Sequence, residues 1–383
     1  MIKSAEMMHA LSVISVAAML SMSCGAAVRP GLWPPVPEKQ KGMSYAAWSA
    51  GAYLLPDSDS SLEHLAETGA NWIALIVTCY QDNLASVQVT ANEATPTDAG
   101  LIHVLRQAHG MGLRVMLKPH LDLAKDPAHW RGEIGLAFTT EAQWTAWFAS
   151  YRRFIEHYAE LASTYGADQF CLGTELEGTT QRAADWRNIV AAVRTRYGGP
   201  ILYAGNHDGE ELRLTWWDAV DFIGVDAYYP LTSRTNPTLS GLKAAWQARV
   251  AALAGLAARW AKPIIITEIG YRSIDGAAIH PWDYQVKARI DLEEQADCYR
   301  AALESVYGKP WLAGIFWWAW SPDPRQGGPA DDNYTPHDKP AEDILRAWYQ
   351  SSGWEKRDLD DLRPEGARRG RRPCREGPAL PKQ

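Results

Sequence analysis

Short apolar runs rich in β-branched residues alternate along this chain with longer segments whose apolar residues recur at helical spacing. We predict strands at residues 42–45, 72–77, 114–118, 169–173, 201–204, 222–225, 264–267 and 314–318. We predict helices at residues 61–68, 99–110, 141–165, 184–197, 214–220, 239–260, 292–307 and 341–350. Strands and helices that alternate in this way indicate an α/β fold of the (β/α)8 or TIM barrel type.

Two of the predicted helices begin with a capping signature. Ser60 with Glu63, and Thr140 with Gln143, stand three residues apart ahead of an apolar run, as in a capping box. The main rival fold is a doubly wound open sheet, which carries a glycine-rich phosphate loop after its first strand. The first predicted strand has no such loop, so the barrel is favoured.

Both ends of the chain differ from the repeating part. Lys3 and the apolar stretch 10–22 predict an export signal over residues 1–24, with Cys24 where a lipoprotein signal would be cleaved. Residues 25–40 are rich in proline and glycine and predict a linker, and residues 353–383 are charged and predict a disordered tail. The barrel domain then spans residues 41–352. We expect a periplasmic, cell-surface or extracellular protein, with a lipidated Cys24 as one route to membrane attachment.

Composition narrows the classes of partner. The 383 residues are 46% hydrophobic, which is enough for the core of one large barrel or of two ordinary domains. A net charge of −7 with interspersed signs argues against nucleic acid, which selects a basic surface. The 18 tryptophans suit sugar binding, because aromatic faces stack on the apolar faces of sugar rings. The five cysteines show no metal-binding spacing, so we expect buried free thiols, no metal and no cofactor.

Two glutamates stand where predicted strands end. Glu175 follows the fourth predicted strand and Glu268 follows the seventh. The carboxyl ends of barrel strands meet at one face, so these two carboxyl groups are expected to lie close together. A retaining glycosidase needs one carboxylic acid to protonate the leaving oxygen and one carboxylate, about 5 Å away, to attack the anomeric carbon. An ordinary surface or capping role remains the alternative for each glutamate.

Polar and aromatic residues near other strand ends are candidate sugar-binding groups. We predict that the phenol of Tyr228 holds Glu268. Trp320, with Trp318 on the same side by strand alternation, is expected to form the floor of the sugar site, whereas Trp317 is assigned to the core. The candidates for hydrogen bonds to sugar hydroxyls are Tyr80, His120, Asp122, Glu177 and Asn206. Packing at the barrel rim is the alternative for each of them.

Several motifs occur in a fixed order along the chain. They are TGANW at 68–72, KPHLD at 118–122, GTELE at 173–177, GVDAYYP at 224–230, TEIGY at 267–271, FWWAW at 316–320 and YTPHDKPAE at 334–342. In this combination the chain, from about residue 41 to residue 350, resembles glycoside hydrolase family 113, a family of retaining β-1,4-mannanases with (β/α)8 barrels.

The resemblance implies roles for the two glutamates. It makes Glu175 the acid/base and Glu268 the nucleophile in cleavage of a β-1,4-linked mannose-containing oligosaccharide or polysaccharide. We expect a monomer that needs no cofactor. The wider relatives often carry Asn immediately before the strand-four glutamate, to bind the sugar 2-hydroxyl. This chain has Thr174 there, so that contact comes from elsewhere or is absent.

Three other functions are compatible with part of this sequence pattern. A β-glucanase, a xylanase or an exo-acting mannosidase would use the same two glutamates, and Glu177 is the second choice for the acid. A metal-dependent hydrolase would need clustered histidines, but His103 and His109 fall in a predicted helix. A non-catalytic sugar-binding protein would keep the aromatic residues without needing both glutamates.

Overall fold

The computed structural model describes residues 38–351, and within them eight parallel strands form a closed barrel. The strands are β1 Gln40–Tyr45, β2 Trp72–Gln81, β3 Arg114–Leu123, β4 Gln169–Thr174, β5 Ile201–Asn206, β6 Phe222–Asp226, β7 Ile264–Ile269 and β8 Leu312–Trp320. Each strand pairs with the next along the chain, and β8 pairs with β1 to close the barrel. The predicted (β/α)8 fold is therefore confirmed.

Helices surround the barrel in the intervals between successive strands and after β8. They are α1 Pro56–Glu67, α2 Asp98–Gly110, α3 Glu141–Tyr165, α4 Glu177–Thr180, α5 Ala183–Arg196, α6 Glu210–Arg213, α7 Leu239–Trp260, α8 Leu292–Val306 and α9 Pro340–Tyr349. Strands covered by helices outside and by side chains inside must be apolar on both faces, which is why they appear in the sequence as continuous runs. One buried cluster, which includes Ile76, Met116, Leu202 and Phe316, fills the barrel interior.

The capping predictions had mixed outcomes. Thr140 and Gln143 form the predicted reciprocal capping box at the start of α3. The Ser60 and Glu63 prediction is wrong, because α1 already begins at Pro56. Proline is favoured in the first turn of a helix, where its missing N–H has no partner to lose, so this signal displaced the Ser60 cap.

Two further predictions of helix and strand bounds need correction. The predicted helix 214–220 is wrong: α6 ends at Arg213, Leu214 is extended, and Trp217–Ala219 forms one turn of 3₁₀ helix. The second and third strands each continue for ten residues and pair with each other along their whole length. Tyr80, His120 and Asp122 therefore lie within these strands, which rise above the rim of the barrel, and not in the loops after them.

The structure describes three of the cysteines but neither terminal segment. Cys79, Cys171 and Cys298 are buried free thiols, as predicted. The predicted signal at 1–24, including Cys24, most of the predicted linker and the predicted tail 353–383 lie outside residues 38–351 and stay predictions. Among the helices of the described part, none is both long and apolar enough to cross a membrane.

Candidate active site

The two glutamates predicted at strand ends both lie at the carboxyl end of the barrel. Glu175 is the first residue after β4, and Glu268 is the next-to-last residue of β7. Their side chains are 14% and 5% exposed, respectively. Groups this deeply buried depend on their neighbours for their charge state, so the contacts of each carboxyl group decide what it can do.

Glu268 is surrounded by hydrogen-bond donors. The Nζ atom of Lys118, in β3, lies 2.5 Å from Glu268 Oε1. The hydroxyl of Tyr228, two residues after β6, donates to Glu268 Oε2 over 2.9 Å, as the sequence predicted. A carboxylate that accepts a hydrogen bond from an ammonium group and another from a phenol is stabilised in its ionised form, which is the form a nucleophile needs.

Asp226 shares the same cation. The Lys118 ammonium lies 3.3 Å from Asp226 Oδ1, and Thr267 donates its hydroxyl to this oxygen over 2.6 Å. Burial raises the pKa of Asp226 to about 7, and the charge of Glu268 adds to the rise. Burial alone would lower the pKa of Lys118, but the charges of Asp226 and Glu268 outweigh burial and raise it. The ammonium therefore stays protonated between two buried carboxyl groups.

Glu175 has the opposite electrostatic environment. Burial and the nearby charge of Asp226 raise the pKa of the Glu175 carboxyl well above its usual range, Arg131 opposes this, and Glu268 adds to it. Arg131 Nη1 is 3.9 Å from Glu175 Oε2, too far for a direct hydrogen bond. A carboxyl group that keeps its proton near neutral pH can act as a general acid.

The backbone around Glu175 holds an uncommon conformation. Its φ angle is +53°, in the left-handed region that residues other than glycine rarely adopt. Two hydrogen bonds fix this turn: Glu175 N–H donates to Ala204 O over 2.9 Å, and Leu176 N–H donates to the Tyr203 hydroxyl over 2.8 Å. Tyr203 in turn donates to Glu210 over 2.6 Å. The turn that carries Glu175 is thus held by a network anchored on β5 and α6.

His120 and Arg131 connect the two glutamates. Arg131 Nη1 lies 3.1 Å from His120 Nδ1, and His120 Nε2 lies 3.4 Å from Glu268 Oε1. Burial, with the charges of Lys118 and Arg131, lowers the pKa of His120 well below its usual value, so the ring is neutral. Because an arginine side chain only donates, Nδ1 is the acceptor and Nε2 carries the proton that faces Glu268.

The predicted aromatic floor is only partly found. Trp318 lies at the barrel mouth, half-buried, stacked on His120 with ring centroids 6.0 Å apart, and exposed Trp48 packs against its edge. Trp320 is 1% exposed, and its indole N–H donates to Ser61 of α1, so its predicted place in the floor is wrong. Trp317 is in the core, stacked on Tyr299, as predicted.

A register shift explains the error at Trp320. Met43 of β1 is opposite Trp317, but Tyr45 is opposite Trp320, so two steps on β1 match three on β8. Such a bulge breaks the alternation of faces on which the prediction relied, and Trp318 and Trp320 therefore point to different sides.

The remaining predicted residues lie around this centre. Asp122 accepts a hydrogen bond from Arg131 over 3.3 Å, and the half-buried Tyr80 is opposite Asp122 in the β2–β3 pair. Asn206 is the buried last residue of β5, opposite Asp226 on β6. Glu177 begins α4 and forms an ion pair with Arg213, so it is engaged away from Lys118 and Glu268.

The sequence pattern alone indicates no role for Lys118 and Asp226. Both are charged residues within or at the end of apolar strands, and a buried charge in such a run is a signal that a partner exists. The partner could not be named from the sequence, because Lys118 is 150 residues from Glu268 and 108 residues from Asp226.

Clusters of potential metal ligands within residues 38–351 lie elsewhere. They are His337 with Asp338 and Glu342, and Asp275 with Asp291 and Glu294. Neither cluster includes Glu175 or Glu268. His103 and His109 lie on α2, where they pair with Asp59 and Asp168. The barrel mouth therefore presents two buried carboxyl groups in different electrostatic environments, together with hydrogen-bond donors and the aromatic ring of Trp318.

A barrel that brings two carboxyl groups with different environments to the carboxyl end of its strands has the parts of a glycoside hydrolase site. Residues 43–339 match the model of Glycoside Hydrolase Family 113. The chain belongs to glycoside hydrolase family 113. The resemblance found in the sequence is thus confirmed.

Solved structures agree with this classification. The family 113 β-mannanase AaManA from Alicyclobacillus acidocaldarius, solved in complex with ManMIm, is 31% identical, with a TM-score of 0.74 over 82% of this chain and 97% of that one. A structure described as a family 113 β-1,4-mannanase in complex is 26% identical, with a TM-score of 0.74 over 82% of this chain and 99% of that one. A Ruminococcus gnavus β-glucuronidase shares the fold alone, at 15% identity and a TM-score of 0.55 over 81% of this chain and 49% of that one. The comparison with curated proteins gives no match.

Proposed function

We propose that this glycoside hydrolase cleaves β-1,4-linked mannose-containing glycan with retention of configuration, through a covalent intermediate on Glu268. The observation that carries the proposal is the contrast between the two carboxyl groups: Glu268 accepts hydrogen bonds from Lys118 and Tyr228, whereas burial and the charge of Asp226 raise the pKa of Glu175 well above its usual range. A carboxyl group held by an ammonium and a phenol suits a nucleophile, and a buried carboxyl group near a negative charge suits an acid. The mannose specificity is supported by the two similar structures that are described as β-mannanases.

In the first step, a Glu268 oxygen attacks the anomeric carbon, the glycosidic C–O bond breaks, and Glu175 gives its proton to the leaving oxygen. In the second step, a water molecule gives a proton to Glu175 and attacks the same carbon, which releases Glu268 as a carboxylate. Lys118 and Tyr228 hold Glu268 in place in both steps. Trp318 offers an aromatic face to the sugar, and the neutral ring of His120, whose Nε2 lies 3.4 Å from Glu268 Oε1, stacks on Trp318 beside the nucleophile.

Matched substitutions test the assignment of the acid. Glu175→Gln should abolish cleavage of mannan, whereas Glu177→Gln should keep most of the activity, because Glu177 is paired with Arg213. Near-normal activity in Glu175→Gln, or equal losses in both variants, would contradict the assignment. Product analysis on mannan, glucan and xylan oligosaccharides tests the substrate, with faster cleavage of mannan expected.

A further inference from the structure

The loop between β7 and α8 carries an exposed tryptophan. Trp282 is 43% exposed, although tryptophan is usually well covered. Its ring packs against His207 and His280, with centroids 5.1 Å away in each case. The ring is therefore supported by two imidazoles and is still partly open to solvent.

This loop is fastened at two points. The Tyr334 hydroxyl donates to the carbonyl of Pro281, next to Trp282, over 2.7 Å. Arg272, only 4% exposed, donates to the carbonyl of Val286 over 2.6 Å. An exposed ring on a fastened loop costs little conformational entropy when it meets a ligand, which is a property of a preformed binding surface.

The supports of Trp282 lead to the nucleophile. His207 directly follows β5, and its ring lies 6.4 Å from the ring of Tyr228, which donates to Glu268 Oε2. The ring of Tyr334 lies 6.5 Å from the same Tyr228 ring. Lys118 and His120 approach Glu268 at Oε1, so Trp282 belongs to the other flank of the carboxylate.

The surroundings favour a neutral ligand. Burial lowers the pKa of His207 to about 4, so the imidazole beneath Trp282 carries no charge at neutral pH. His207 Nδ1 has no hydrogen-bond partner among residues 38–351. An uncharged and partly exposed ring suits the apolar C–H face of a pyranose better than it suits an ion.

We propose that Trp282, supported by His207, is a stacking platform for a second sugar unit of the substrate, on the Tyr228 flank of Glu268. This proposal rests on the proposed function, since it takes the ligand to be a β-1,4-linked glycan. The platform would bind longer chains more tightly and would add little to a substrate with one sugar unit.

Chain-length dependence tests the platform. We would compare kcat/KM for mannopentaose and for β-mannosyl fluoride in wild type, Trp282→Ala, Trp282→Phe and Tyr165→Ala. For Trp282→Ala, the loss on mannopentaose should exceed the loss on the fluoride by about tenfold, as expected for one lost stacking contact. In Trp282→Phe, which keeps an aromatic ring, part of the kcat/KM for mannopentaose should be recovered. Tyr165, which is 37% exposed at the end of α3 on the opposite face of the barrel, is the matched control and should show no such difference.

If Trp282→Ala loses kcat/KM equally on mannopentaose and on the fluoride, or loses none on mannopentaose, the platform is contradicted while the proposed function stands. A calorimetric titration of Glu268→Ala with mannopentaose separates the two claims. Binding that weakens about tenfold when Trp282→Ala is added supports the platform. If wild type cleaves no mannan, glucan or xylan oligosaccharide and Glu268→Ala binds none, the proposed function fails, and the platform fails with it.

Discussion

The ammonium of Lys118 lies 2.5 Å from the Glu268 carboxylate although the two residues are 150 positions apart, and both side chains are almost completely buried. A buried charge without a partner is very costly, so each of these residues makes the other tolerable. The same ammonium also faces Asp226. The barrel thus holds a buried cation beside the carboxylate that we propose as the nucleophile.

Replacing Lys118 tests this role. Lys118→Met keeps the length of the side chain but removes the charge, which leaves Glu268 and Asp226 without their cation. We expect kcat to fall about a hundredfold or more. Lys125→Met is the matched control, since Lys125 pairs with Asp82 at the exposed rim, and it should stay close to wild type. Retained activity in Lys118→Met would contradict the role, and thermal unfolding curves would identify a variant that fails to fold.

The phenol of Tyr228 has a close control in the next residue. Tyr228→Phe removes the 2.9 Å hydrogen bond to Glu268, and hydrogen bonds to charged groups contribute about 1.5–3 kcal/mol, so kcat should fall about tenfold to a hundredfold. Tyr229→Phe removes a hydroxyl that donates to Glu211 instead. Steady-state kinetics should show a small effect for Tyr229→Phe. Similar effects of the two substitutions would argue against a specific role for Tyr228.

The pH dependence should report the charge of Asp226. Activity should fall as pH rises through the raised pKa of Glu175, because the general acid then loses its proton. Asp226 is a principal cause of that raised pKa, so Asp226→Asn should move the alkaline limb of the kcat/KM profile to lower pH, by about one unit. Asp82→Asn, which changes a carboxylate at the rim, should leave the limb in place. An unchanged limb, or a shift to higher pH in Asp226→Asn, would contradict the electrostatic account.

Two tryptophans of β8 should separate binding from stability. Trp318→Ala removes the aromatic face at the mouth and should lower kcat/KM for mannooligosaccharides about tenfold or more. Trp320→Phe should lower the free energy of unfolding by about 1–3 kcal/mol through lost packing and the lost hydrogen bonds to Ser61, with kcat/KM near wild type. A kinetic loss in Trp320→Phe without a loss of stability would favour the original prediction for Trp320.

The sequence contained enough information to predict the barrel and the position of both glutamates at its strand ends. Strands buried on both faces are apolar runs, and a carboxylate directly after such a run is conspicuous at Glu175 and Glu268. Lys118 and Asp226 received no role, because their function comes from pairing across strands that are far apart in the chain. The error at Trp320 arose from a bulge, which changes strand alternation without a clear signal in the residues themselves.

The most direct test of the central claim is to trap the intermediate. A 2-deoxy-2-fluoro-mannosyl fluoride should react with Glu268: fluoride leaves the anomeric carbon, an ester forms with a Glu268 oxygen, and the electron-withdrawing substituent slows hydrolysis of that ester. Mass spectrometry of the digested protein should then find one added 2-fluoromannosyl group on the peptide that contains Glu268. A label on the peptide with Glu175 and Glu177 instead, or the absence of any adduct while mannan is cleaved with inversion, would contradict the account.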